Sequence, residues 1–532
     1  MTPPKSGRQA EQDRPRWQWA LLAALVAGAV CLRAHDLGRV FFWWDESDFF
    51  NESIYGNHPA SLIHFALAAK NSTTNTWGWP AIVWVFCRAL GPTLTVARIP
   101  SVLAGAAAVL LVFFLVYRLL ADGFCGNRFF PALFAAALTA ISMPQMEHSQ
   151  RIYPYAGVTL MAAALLLAHL ELLRALLERV AQPRLFRAAA AYTLTGALAL
   201  CIHPSLGLLL AASLALLGAA EVRAFFKRPP ALRRRMLLMA GSMSVVLLVA
   251  GLLNRKQPKL GFRAYLQPYY HEFSLRSMAR LPMHAYDLAA YHLNLFYNPS
   301  LYWPQALNPV ILPLVCLCVL GLALAFAGRW GAYLRHFALL GLLAAAIPAA
   351  LSMFRAFPFG GVRQTLFLSP FLFAFTALGF YALFGNRLTR LPAAAVAVAY
   401  IALSIFNLPR FYDDRVVTYR PEEIVKLWRD NGNLPSYAWK AAGPLQYVLR
   451  DYPEIHVQKP AEEGPQAMAP FLLISPNHQL DKDSGFEETL QRAGLRPILL
   501  ADKSTIHPES EQYPTCLYFP PNGFVVYKVL KQ

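Results

Sequence analysis

Charge is what this chain has least of, and negative charge above all. Charged residues fill 15% of 532 positions, with 30 Asp and Glu against 48 Lys and Arg; an ordinary soluble domain carries roughly 25%. That deficit excludes a fully solvated globular protein along most of the length. Cysteine is sparse too. The seven residues are scattered, and Cys31, Cys201, Cys316 and Cys318 fall inside apolar runs, where they are expected as buried small hydrophobes. No metal or redox motif is formed. Internal repeats and low-complexity segments are also missing. The formal net charge of +18 does not point to nucleic acid as a partner, because most basic residues sit in short gaps between apolar runs and act there as topology signals.

What the chain has in abundance is apolar length. It is 56% hydrophobic with a mean hydropathy of +0.37, and apolar stretches recur from residue 17 to about residue 408. This is the pattern of a polytopic α-helical membrane protein. About 11 spans are predicted, at 17–35, 97–119, 130–147, 155–172, 188–202, 205–220, 236–253, 309–327, 337–353, 364–384 and 392–408. Lys5, Arg8, Arg14 and Arg16 precede the first, and no small-residue cleavage site follows it, so it reads as a retained span rather than a signal peptide.

With the N-terminus inside, the predicted inner gaps carry Arg118 and Arg128, Arg174 to Arg187, Arg223 to Arg235, Arg329 and Arg335, and Arg387 and Arg390. Each is basic, as the positive-inside rule requires. The stretch "GWPAIVWVFCRALG", 78–91, would invert everything downstream if it crossed. At about 14 residues it is short for a span and is expected as an interfacial helix.

Three regions result: a basic inner N-terminus, 1–16, a membrane domain, 17–408, and a soluble outer domain, 409–532. The first outer loop, 36–96, is expected to hold an amphipathic helix near 45–70, and a second large outer loop runs from 254 to 306. In the last region the strand-length runs 471–475, 496–501 and 523–530, with helical patterns at 421–431 and 484–494, predict a small α/β domain.

The chemistry-bearing residues crowd the outer side. "FFWWDESDFFNES" (41–53) sets Asp45, Glu46, Asp48 and Glu52 beside four aromatic rings. A helix cap accounts for one of these acids but not for four. "MEHSQRIYPY" (146–155) brings His148, Arg151, Tyr153 and Tyr155 to an outer boundary. Tyr and Arg are common interfacial anchors, yet Arg151 lies on the face that usually avoids basic residues. His203 sits in the turn "CIHPS", where a structural role is the simpler reading. In 254–306, Arg255, Lys256, Lys259, Arg263, Arg276 and Arg280 are interleaved with Tyr265, Tyr269, Tyr270 and Tyr286. Such a surface suits a lipid phosphate and a stacked sugar, though a solvated loop would also tolerate these charges. In "FPFGGVRQTLFLSP" (357–370) Arg363 follows a Gly-Gly turn that lets backbone approach closely.

Taken in order and spacing, "WWDES", "LGPTLTVARIPSVLAG", the Arg-x-Tyr of 151–153 and "FPFGGVRQTLFLSP" resemble the GT-C membrane glycosyltransferases. The likeness is to the dolichyl-phosphate-mannose protein mannosyltransferase and aminoarabinose transferase group, and it extends over about residues 17–410. It implies the GT-C architecture, a bacterial inner membrane location with a periplasmic active face, and inverting transfer of a sugar from a polyprenyl phosphate to an acceptor hydroxyl. Asp45 would be the general base, with Glu46 beside it. Arg151, Arg363 and one or more of Arg255, Lys256 and Lys259 would hold the donor phosphate. His148, Tyr153, His203, Tyr269 and Tyr270 would line the substrate path.

Two departures leave the acceptor open as a glycan, lipid or protein hydroxyl. Trp79 precedes Pro80 where relatives often have Lys or His, and Arg151-Ile152-Tyr153 stands where aminoarabinose transferases carry an Asp. No residue pattern calls for a cofactor, and none indicates a divalent cation. The rival readings are a transporter or flippase of a lipid-linked glycan and a noncatalytic scaffold of the same fold. Polar residues gathered on one face, with no repeats, favour interfacial chemistry over transport.

Overall fold

The computed structural model describes residues 16–40, 46, 76–121, 128–178, 182–225, 230–253, 281–294, 311–328, 331–354, 357, 359–360, 363–384, 388–413, 421–438, 449, 451–452, 454–455, 457–458, 470–476, 495–501 and 524–531. The expected helices near 45–70 and at 484–494 lie outside these residues. The chain divides into two compact units, one of residues 1–35, 60–296 and 303–406, the other of 36–59, 297–302 and 407–532.

The first unit is built from helices because an apolar run in lipid has no water for its backbone groups and must close its hydrogen bonds internally. Among the described residues, seven helices are long and apolar enough to cross a membrane. They are α1 (Arg16–Ala34), α3 (Leu94–Leu119), α6 (Tyr155–Leu177), α7 (Gln182–Ile202), α12 (Ala332–Met353), α13 (Ser369–Phe384) with the 3-10 turn Arg363–Leu368 before it, and α14 (Arg390–Asp413). Helices α8 (Leu206–Phe225), α9 (Pro230–Leu253) and α11 (Leu312–Phe326) occupy three further expected spans with shorter apolar stretches. The chain is an integral membrane protein. The 78–91 stretch is the short apolar helix α2 (Gly78–Leu90), and the segment before the 311–328 run supplies α10 (Leu281–His292).

One expected span differs in form. Instead of a single helix over 130–147, α4 (Phe129–Ile141) and α5 (Met143–Ser149) meet at an angle of 58°. The cause is local. In a continuous helix the Pro144 ring would strike the carbonyl of Ala140 and supply no N–H to it. Ser142 therefore leaves helical geometry, and Pro144 is accommodated in the first turn of α5. The break frees the carbonyls of Thr139 and Ala140. Arg33, fully buried at the end of α1, takes both, with Nη2 to Thr139 O at 3.0 Å and Nη1 to Ala140 O at 3.0 Å. The amide of Met143 turns instead to Asn294 O at 2.8 Å, beyond the end of α10.

Elsewhere small residues let helices touch. A Cβ on Gly321 of α11 would meet the carbonyl of Phe375, and one on Gly379 of α13 the carbonyl of Leu317, so these two backbones lie in direct contact. The cysteines only partly follow expectation. Cys318 is buried and Cys201 half-buried, but Cys31 and Cys316 are exposed on their helices.

The second unit is α/β, as its strand-length runs predict. Helix α15 (Pro421–Asp430) precedes β1 (Ser436–Ala438), β2 (Val457–Gln458), β3 (Phe471–Pro476), β4 (Leu495–Ala501) and β5 (Phe524–Lys531). They form one sheet in the order β2-β1-β3-β5-β4. β1 runs parallel to β2 and β3, while β5 is antiparallel to β3 and β4. Leu472, Leu495 and Val529 are buried in it.

Candidate active site

The residues with chemistry in the first unit converge where α5 ends and α6 begins. The intervening backbone is pinned from two sides: Trp79 Nε1 donates to Ile152 O at 2.7 Å, and Ser101 Oγ to Tyr153 O at 3.5 Å. So held, Tyr153 and Tyr155 lie parallel, with ring centroids 5.7 Å apart and planes within 7°. The guanidinium of Arg363 sits over both rings, 5.6 Å from Tyr153 and 5.4 Å from Tyr155. Cation–π contacts of this kind each contribute about 0.5–1 kcal/mol, more when desolvated.

Two histidines and a third tyrosine complete the cluster. The His148 ring lies 5.0 Å from Tyr155, and its Nε2 is 3.2 Å from the hydroxyl of Tyr291 on α10. On the other side, the His203 ring lies 5.3 Å from Tyr155. His203 Nδ1 accepts from Ser205 N at 3.2 Å within its turn and lies 2.8 Å from Ser205 Oγ. Tyr291 is buried, and α10 lies outside the candidate spans. Burial first, then the nearby Glu147 carboxylate, pushes its phenol well above the ordinary tyrosine range, while Arg363 pulls the other way. Tyr291 is therefore a neutral hydroxyl at any physiological pH.

Beneath the cluster, His292 ties three elements together. Its Nδ1 is 2.9 Å from Ser369 Oγ, and its Nε2 is 3.2 Å from Thr365 Oγ1. Ser369 Oγ accepts from Gln145 Nε2 at 2.9 Å, and Thr365 Oγ1 donates to Gly360 O at 3.2 Å. Gly360 has φ +119°, a conformation only glycine adopts without strain. It sits in the Gly-Gly turn that leads to Arg363.

Of the residues expected at a site, His148, Tyr153, His203 and Arg363 come together here. Arg151 takes a different position: it is 2% exposed, with Nη2 3.9 Å from the Glu147 carboxylate. Glu46 is fully buried. Asp45, Arg255, Lys256, Lys259, Tyr269 and Tyr270 lie outside the described residues. Sequence reasoning missed Tyr291, His292 and Glu147. The only signal for them is the adjacency "YH" near the close of a weakly apolar helix and a Glu one residue before His148. Among the described residues no three His, Cys, Asp or Glu side chains gather as metal ligands.

No protein-family model matches the chain, and no curated protein matches it. Solved structures do. The oligosaccharyltransferase of Archaeoglobus fulgidus, tethered to an acceptor peptide containing the NVT sequon, aligns with 12% identity and a TM-score of 0.48. That alignment covers 85% of this chain and 65% of the other, so the chain spans slightly less than two thirds of that protein. ArnT from Cupriavidus metallidurans in its apo state aligns over 95% of this chain and 97% of its own, with 13% identity and a TM-score of 0.48. The same protein bound to undecaprenyl phosphate gives 12% identity and a TM-score of 0.44.

Proposed function

We propose that this protein is an inverting membrane glycosyltransferase that takes a sugar from a polyprenyl phosphate and places it on an acceptor hydroxyl at the periplasmic face. The observation that carries the reading is Arg363. A guanidinium set over two parallel tyrosines, half-buried at one end of a helical membrane unit, is a cation held in a defined place by aromatic rings. The planar, two-pronged guanidinium matches a pair of anionic oxygens on a phosphate. A lipid-linked phosphate explains why the site belongs to a membrane protein.

In the reaction, an acceptor oxygen forms a bond to the anomeric carbon from the side opposite the phosphate, which inverts the configuration there. The bond from that carbon to the phosphate oxygen breaks, and polyprenyl phosphate leaves with the electron pair. Arg363 stabilises the charge growing on the leaving phosphate. Arg255, Lys256 and Lys259 are proposed to add to that positive field. The acceptor proton passes to Asp45, a role that rests on the likeness of "WWDES" to the GT-C motif, with Glu46 as its neighbour. His148, Tyr153, His203, Tyr269 and Tyr270 are proposed to contact sugar and acceptor. Arg151 is proposed to act on the donor from within its Glu147 pair, as a fixed background charge.

The test is transfer by the purified protein from a panel of polyprenyl-phosphate sugars. Asp45→Asn is expected to lower turnover at least about a hundredfold, the usual scale for losing a general base, while still binding undecaprenyl phosphate. Full turnover in that variant removes Asp45 from the mechanism. Full turnover with a soluble nucleotide sugar and no lipid phosphate overturns the reading as a whole.

A further inference from the structure

We infer that His292 is a positioning residue for Arg363, acting through a one-directional chain of buried hydrogen bonds; this rests on the proposal that Arg363 holds the donor phosphate. The direction follows from counting protons. Gln145 Nε2 can only donate, so Ser369 Oγ accepts from it and has its own proton available for His292 Nδ1. Gly360 O can only accept, so the single proton of Thr365 Oγ1 goes there. Thr365 Oγ1 must then accept from His292, which places a hydrogen on Nε2 and none on Nδ1.

All four links are satisfied together by the neutral Nε2–H form of His292. The environment enforces that form: His292 is fully buried, and burial first, with His148 second, lowers its pKa to about 3. The backbone of His292 is fixed as well, its carbonyl accepting from Ser142 Oγ at 3.0 Å at the bend between α4 and α5.

The purpose of the chain is legible in what it joins. One end is α5, which leads into the Tyr153–Tyr155 platform. The other is the turn at Gly360 and the 3-10 helix that opens with Arg363. Thr365 is two residues from Arg363, and its hydroxyl links the base of that turn, at Gly360 O, to His292 on α10. The tyrosine rings and the arginine above them come from distant parts of the sequence, and the chain through His292 sets the distance between them. Misplacing a binding group by about an ångström costs roughly a hundredfold in a reacting site, so a rigid spacer between platform and guanidinium has a clear use.

The test measures binding of undecaprenyl phosphate to the purified full-length protein in detergent. Thr365→Val removes the acceptor for His292 and the donor for Gly360 at constant shape. It is expected to weaken binding roughly tenfold, through the displacement of the Arg363 guanidinium. Thr365→Ser keeps the hydroxyl and is expected to restore binding. The deciding arm is the double variant. If Thr365 acts through Arg363, then Thr365→Val in an Arg363→Ala background weakens binding no further. Full additivity, or parent-like binding in Thr365→Val, overturns the positioning role while leaving Arg363 as the phosphate ligand. Unchanged binding in Arg363→Ala alone overturns both. Where Thr365→Val does not fold, Ser369→Ala breaks the preceding link and gives the same comparison.

Discussion

Replacing Arg33 by Met is the perturbation that most directly probes how the membrane unit holds its bent helix. Arg33 is fully buried and donates Nε to Ser149 Oγ at 3.1 Å, in addition to its bonds to the carbonyls of Thr139 and Ala140. A third backbone bond, to Ala29 O at 3.2 Å, lies within α1. Met fills a similar length but donates nothing. Two carbonyl oxygens at the end of α4 then lose their partner in a buried setting, at about 1–3 kcal/mol each. Against this, the variant no longer buries a charge, which returns part of the desolvation cost. The attraction between a cation and a helix C-terminus, about 0.3–1 kcal/mol and up to about 2 when partly buried, is lost as well.

The carbonyls decide the sign, because the break at Pro144 offers them no substitute donor. We expect a net loss of about 2–4 kcal/mol, a large fraction of a typical domain stability of about 5–15 kcal/mol. The assay is the rate of thermal unfolding in detergent, since membrane proteins of this size commonly unfold irreversibly. Arg33→Lys, with one nitrogen in place of three, should fall between parent and Met. Gly105→Ala approaches the same spot by crowding: its Cβ would collide with Ser149 Oγ and lie 2.8 Å from Arg33 Nε. Parent-like unfolding of Arg33→Met, with activity retained, would show that Arg33 does not hold the bent helix.

Three other outcomes follow from the same geometry. Gly360→Ala should weaken undecaprenyl phosphate binding by a few-fold to tenfold, because φ +119° strains any side chain even though the space around it is open; binding isotherms check this. Stability should fall on acidification from about pH 6.5 toward pH 3, because the unfolded His292 takes up a proton that the folded one, with a pKa near 3, refuses. His292→Gln should flatten that part of the unfolding-versus-pH curve. For orientation, single cysteines in 254–306 and beyond residue 413 should react with an impermeant thiol reagent from outside and those in 226–229 should not; labelling of 226–229 would invert the assigned topology.

Much of the fold is written in the apolar pattern, because lipid imposes a length on each crossing. The basic gaps repeat that message, and together with the shortness of 78–91 they set α2 apart from the expected spans. The α4–α5 bend was less accessible. Pro144 is visible in the sequence, but the break is stable only because Arg33, 106 residues from Thr139, reaches its carbonyl. The site divides in the same way. His148, Tyr153, His203 and Arg363 stood out as polar residues at predicted membrane boundaries. Tyr291 and His292 did not, since their partners lie 143 and 73 residues away, at His148 and Thr365, and no local periodicity encodes that pairing. Arg151 stands out in the sequence because basic residues are unusual on that face; the carboxylate beside it belongs to Glu147, four residues earlier.

The measurement that tests the central claim most directly is a structure of this protein with undecaprenyl phosphate bound, paired with the affinity of Arg363→Ala for the same lipid. Phosphate oxygens are expected within hydrogen-bond distance of the Arg363 guanidinium, close to the Tyr153 and Tyr155 rings. Affinity is expected to be lower by roughly ten- to a hundredfold without that side chain, the worth of a charge-assisted bond, with only partial recovery in Arg363→Lys. A phosphate seated away from Arg363, with affinity unchanged in the alanine variant, would contradict the claim.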